Sequence, residues 1–137
     1  MHSRLLRVVL SASMLIAVVS PVAAHHSFSA EFDTNKKVTL EGTVVKLEWV
    51  NPHSWLDIDV PKPDGTVEHW RLEGGSPGVL LRLGWNRNSL PPGTKIKVTA
   101  FQAKDGDFRG STREIVFPDG RKLSLGSSAN DKQESEK

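Results

Sequence analysis

Apolar and polar residues alternate over most of the chain, and the alternation changes phase once. In VTLEGTVVKLEWV, residues 38–50, Val38, Leu40 and Val44 share one parity, and Val45, Leu47 and Trp49 share the other. Side chains along a strand point to opposite faces in turn, so a phase change beside Gly42 predicts a β-bulge or a sharp bend. SWLDIDV keeps strict alternation, with Leu56, Ile58 and Val60 on one face. PKPDG is a turn, because proline presets φ and Asp-Gly reverses the chain. TVEHWRLE returns with Trp70 and Leu72 inward, and a symmetric turn would set Asp57 opposite His69, Asp59 opposite Val67 and Trp55 opposite Arg71. TKIKVTAF buries Ile96, Val98 and Ala100, KDGD turns the chain, and FRGSTREIVF is a fifth strand. Residues 117–125 form a short hairpin around Pro118-Asp119-Gly120.

One segment departs from the strand period. GGSPGVLLRLGW offers Ser76 as N-cap, Pro77 at the first helical position and Gly84 as the stop. A short helix thus falls between the third and fourth strands. Three strands in a meander, a helix, then two strands is the order of an OB-fold. The expected class is therefore all-β, an OB-like five-stranded Greek-key barrel with a long bent first strand; a generic small β-sandwich is the alternative.

The first 24 residues have a different pattern. Arg4 and Arg7 supply positive charge at the start, the run from Leu5 to Val19 is apolar but for Arg7 and small serines, and Val22-Ala23-Ala24 fits the small-x-small rule of a secretory cleavage site. That run is short for a bilayer span, which needs ~20 residues. The expected organisation is a signal peptide over residues 1–24, a polar arm carrying Phe28 and Phe32 over 25–37, the barrel over 38–125, and a disordered tail over 126–137. Removing the leader leaves 16 basic and 16 acidic residues, so the overall charge of +2 is no sign of a nucleic-acid partner. With no cysteine, and both methionines in the leader, the mature chain lacks any sulfur ligand. The expected location is periplasmic or secreted, with no stable membrane insertion after processing.

Cleavage after Ala24 would make His25 the first residue. A free α-amine titrates near ~7.7 and binds metal as a nitrogen donor. With its own imidazole it closes a chelate ring, and His26 and His53 would complete a nitrogen set suited to Cu(II) or Ni(II), less distinctively Zn(II). Cleavage after Ala23 would put His26 at position three, also a copper-capable arrangement. The first residue resembles the histidine brace of copper proteins. His53 sits in NPHSW, a loop that in OB-folds borders the binding face; locally it is a turn histidine. For it to meet the terminus, the arm would have to double back along the first strand. A second candidate is a ligand face of Trp55, Asp57, His69 and Arg71, able to hold a glycan, peptide or protein, although cross-strand pairing alone explains those residues. His69 and His53 are too far apart to share one ion.

Familiar hydrolytic motifs are missing: there is no G-x-S-x-G, no H-E-x-x-H and no phosphate-cradling glycine loop. No catalytic residue is assigned, and the expectation is a non-enzymatic protein whose one cofactor would be copper; a copper redox enzyme has no separate support. The blocks HHSF, LEGTVVKLEWVNPHSW, WRLEGGSPGVLLRLGW and FPDGRKL together resemble an uncharacterised family of small secreted bacterial proteins, a domain of unknown function. The resemblance covers nearly all of the chain after the leader. It implies an exported single domain and supplies no activity.

Overall fold

The computed structural model describes residues 28–126. The leader, His25, His26 and all but the first residue of the tail lie outside the described residues. A short helix, α1 (Phe28–Glu31), leads into β1 (Phe32–Glu48). Then follow β2 (Trp55–Pro61), β3 (Val67–Glu73), helix α2 (Pro77–Arg82), β4 (Lys95–Ala103), β5 (Arg109–Val116) and β6 (Lys122–Ser124). The protein is mostly β, its six strands forming one sheet in the order β3-β2-β1-β4-β5-β6. A parallel pairing of β3 with β5 joins one end of this order to the strand next to the other end, so the contacts run β1–β2–β3–β5–β4 and back to β1.

β1 begins at Phe32, six residues before the alternation predicts, and takes in half of the expected polar arm. Phe32 pairs with Ala103, and from Lys37 to Thr43 the strand runs beside β4. The polar side chains of Asn35, Lys36 and Lys37 are exposed, so they hide this part of the strand from a search for hydrophobic alternation. β1 then changes partner. Thr43 pairs with both Lys95 of β4 and Asp59 of β2, and the rest of the strand pairs with β2. The transition depends on Gly42, where a Cβ would lie 2.7 Å from the Asp59 carbonyl oxygen. The phase change itself is a bulge at Val45: Val44 faces Ile58, Lys46 faces Asp57, and Val45 is left exposed.

The β2–β3 register differs from the symmetric-turn expectation by two residues. Asp57 pairs with Arg71, Asp59 with His69 and Trp55 with Glu73. The cause is the turn. Lys62 N–H bonds the Thr66 carbonyl, Gly65 N–H bonds the Lys62 carbonyl, and Gly65 takes φ +87°. This is the three-residue hairpin loop with a left-handed glycine, centred on Asp64 instead of Pro63.

α2 forms where expected. The Ser76 hydroxyl accepts from Val79 N–H and Pro77 opens the helix. At the other end Trp85 N–H bonds Leu80 O, Gly84 N–H bonds Leu81 O, and Gly84 adopts φ +87°, which is a Schellman ending. The reversal brings Trp85 inside at 1% exposure, its indole N–H donating to Ser124 O over 2.8 Å. The main core holds Leu56, Ile58, Trp70, Leu72, Val98 and Ile115 among others, with Trp49 packed at its margin. A second, smaller core of Phe32, Phe101 and Ala103 lies under Phe28.

Candidate functional site

Strand register places one row of side chains across the outside of the sheet. Glu48 faces Trp55, Trp55 faces Glu73, Glu73 faces Ser111, Ser111 faces Phe101, and Phe101 faces Lys37. Their neighbours Leu56, Leu72 and Ala100 are fully buried in the core, which fixes this row as the outward one. His53 and α1 both converge on it.

His53 precedes β2 in a loop tied to the segment after β3. Ser54 N–H donates to Gly75 O, and Gly74 N–H donates to Ser54 O. This holds the imidazole over Glu73, with Nδ1 2.8 Å from Oε1. The ring N–H is not aligned with that oxygen, so the contact is electrostatic rather than a directed hydrogen bond. Nδ1 is sealed from solvent while the side chain as a whole is 44% exposed. The Glu73 carboxyl is held above the ordinary range by burial. Attraction to His53 opposes that rise, and repulsion from Glu31 adds to it.

Glu31 reaches this neighbourhood from α1. Its carboxylate accepts from Arg109 Nη1 at 2.9 Å, and its carbonyl accepts from Lys104 N–H at 3.0 Å. Arg109 also donates to Asp105 at 2.6 Å and lies 3.7 Å from Asp107, so the guanidinium joins α1 to the β4–β5 turn. Its hydrogen bond to the Asp105 carboxylate is the main cause of its raised pKa. Phe28 completes the attachment: its ring centroid is 5.5 Å from Phe32 and 5.8 Å from Phe101. Phe101 is two strands from Glu73, roughly 10 Å at ordinary strand spacing.

Among the described residues, the chain ahead of β1 does not double back along that strand. It crosses the outside of β4 in α1. Neither Glu31, Glu73 nor Arg109 stands out in the sequence as part of a site. The lone signal was that Phe28 and Phe32 punctuate a polar segment. His25 and His26 are outside the described residues, and His53 is the member of the expected metal set that the structure places. Among the described residues, no three His, Cys, Asp or Glu side chains group closely enough to hold a metal ion.

The Trp55, Asp57, His69, Arg71 face is present but internally engaged. Arg71 lies over the Trp55 ring at 5.0 Å, bonds both Asp57 oxygens at 3.1 Å and reaches Glu48 at 2.6 Å. A ligand stacking on that side of the indole would have to displace a guanidinium held by two carboxylates. His69 pairs with Asp59 at 2.6 Å toward the hairpin turn. Six strand positions separate it from the level of Gly75 beside His53, about 20 Å. A groove of about 450 Å³ lies near the same hairpin end, floored by Ile96 and Phe117 and edged by Lys95 and Lys97.

The architecture is that of a small β-sheet domain with no membrane-spanning helix among the described residues. A sequence model of a family of unknown function, DUF6152, matches residues 12–112, and the chain belongs to that family. No curated protein and no solved structure matches the chain.

Proposed function

We propose that this is an exported, periplasmic OB-like barrel that binds a Cu(II)-type ion without catalysing a reaction. The processed His25, through its amine and imidazole, would act together with His26 and His53. The barrel reading is supported by the circular order of strand contacts and by the partner change of β1 at Gly42, both habits of five-stranded Greek-key barrels. β6 is then an addition to the barrel.

The observation that carries the metal reading is the seat of α1. Phe28 is anchored over Phe101, roughly 10 Å across the sheet from Glu73, and Glu73 holds His53. His25 lies three residues from Phe28 and His26 two, spans of at most ~11 Å and ~7 Å, so with the added length of their side chains they are of a size to approach His53. The carboxylate behind Nδ1 is the partner that metal-bound histidines commonly have. The absence of sulfur in the mature chain favours nitrogen-preferring ions.

Calorimetric titration of Cu(II) into protein beginning at His25 tests this. One equivalent should bind, and His53→Ala or one extra residue ahead of His25 should weaken it tenfold or more. Full affinity in the extended protein would exclude the terminal site.

A further inference from the structure

We propose that the groove near the β2–β3 hairpin binds a free medium-chain alkyl carboxylate, with Lys95 and Thr43 as the seat of the carboxylate. The proposal goes beyond the metal-binding reading and does not rest on it.

The cross-strand pairs of β1 and β4 supply the charge. Glu41 faces Lys97, and Thr43 faces Lys95. The residues between them, Gly42 and Ile96, are buried, so these four side chains share the outward face. The first pair is closed, with Lys97 Nζ 2.8 Å from Glu41 Oε1. In the second pair a threonine stands where an acid would neutralise the lysine. Among the described residues, no carboxylate pairs with Lys95 and no hydrogen bond engages the Thr43 hydroxyl. Both residues line the groove. Facing side chains on paired strands have Cβ atoms about 5 Å apart, so the two oxygens of one carboxylate can bridge an ammonium and a hydroxyl placed this way.

The rest of the lining sets the body of the ligand. Pro61, Ile96, Val116 and Pro118 are aliphatic, and Phe117 joins them. Phe117 offers little ring surface to a planar ligand. It is 7% exposed, Arg121 lies over its ring at 4.8 Å, and Trp85 packs beside it at 6.4 Å. An alkyl chain therefore fits better than an aromatic ring. The volume, about 450 Å³, lies within the ~300–1,000 Å³ usual for small-molecule sites. None of the large hydrophobic residues exposed elsewhere on the described surface lines the groove. Its apolar surface is recessed, which suits one free chain and not the plane of a bilayer.

Decanoate, titrated below its micelle concentration into isotope-labelled protein beginning at His25, tests this. One equivalent should bind saturably, moving the amide signals of Thr43, Lys95, Ile96 and Phe117 and leaving those of His53 and Trp55 still. Each methylene removed from the chain should weaken binding about two- to fourfold. Lys95→Gln should weaken it about tenfold or more, and Lys95→Arg should retain most of it. Lys104→Gln, at an exposed lysine away from the groove, should change nothing, which separates a seat from general positive charge. Decanol, decyltrimethylammonium and naphthoate should each bind at least tenfold more weakly than decanoate.

Shifts that do not saturate or that centre elsewhere overturn the site, as does parental affinity in Lys95→Gln. Decanol or decyltrimethylammonium binding as well as decanoate overturns the carboxylate seat, and naphthoate binding as well overturns the alkyl body. Sedimentation of the protein with phosphatidylglycerol vesicles, lost in Lys95→Gln, would make the groove a membrane contact and overturn the free ligand.

Discussion

Arg71 organises the outer face of β2 and β3 one residue at a time. It joins Asp57, Glu48 and the ring of Trp55, and Lys46 closes the group against Glu48 and Asp57. Hydrogen bonds from Lys46 and then Arg71 hold the Glu48 carboxyl below its ordinary 4.5. A carboxylate depressed in the folded state stabilises above its unfolded pKa and loses that contribution as pH falls through the folded value. Glu48→Gln should therefore lower stability slightly at neutral pH, where exposed pairs contribute little, and the difference should fade below pH 4.5. Urea melts of parent and variant at pH 7 and pH 3 check this; a gap that persists at pH 3 would show that the side chain acts through packing instead. The sequence displays all five of these residues, but not who meets whom. Symmetry about Pro63 pairs Asp57 with His69, and the left-handed Gly65 moves every pairing by two. A register depends on one backbone angle in the turn, which alternation does not encode.

At the scale of the element, β1 is the part that pattern reading captures best and bounds worst. The change of phase beside Gly42 is real and marks the place where the strand leaves β4 for β2. Its two physical parts are separate. Gly42 admits the Asp59 carbonyl, and the bulge three residues later at Val45 reverses the faces. Gly42→Ala should cost about 1–3 kcal/mol, because the 2.7 Å approach is to backbone that the β2 pairing holds in place. Equilibrium urea denaturation measures this; a loss below about 0.5 kcal/mol would mean that β2 yields easily. α2 shows the opposite balance. Ser76, Pro77 and Gly84 each carry a local reason for their position, and all three occupy it. Local chemistry thus fixes the short helix completely, while the start of β1 depends on Phe32 finding Ala103, some 70 residues further along the chain.

The whole molecule has two cores of unequal weight, and α1 sits on the lighter one. The main core closes through contacts distant in sequence, including the parallel β3–β5 pairing; alternation foresaw its members, among them Leu56, Ile58, Trp70, Leu72 and Val98, but not that pairing. The satellite under α1 has Phe32, Phe101 and Ala103 with Phe28 as cover, and nothing in the polar stretch between the two phenylalanines announces it. Proteins open locally at free energies well below global unfolding where few apolar contacts are buried. α1 should therefore open while the main core stays shut. The amide of Lys104 reports this directly, since its partner is the Glu31 carbonyl, whereas Leu72 and Ile115 belong to the buried core. Native-state hydrogen exchange should find Lys104 exchanging through a local opening. Phe28→Ala should speed it roughly tenfold, about 1.4 kcal/mol, because Phe28 is only partly buried and so loses less than a core phenylalanine. Amides in the main core should exchange through global unfolding and shift far less. An equal acceleration throughout would show that the two cores unfold as one, and that α1 has no independent freedom to open.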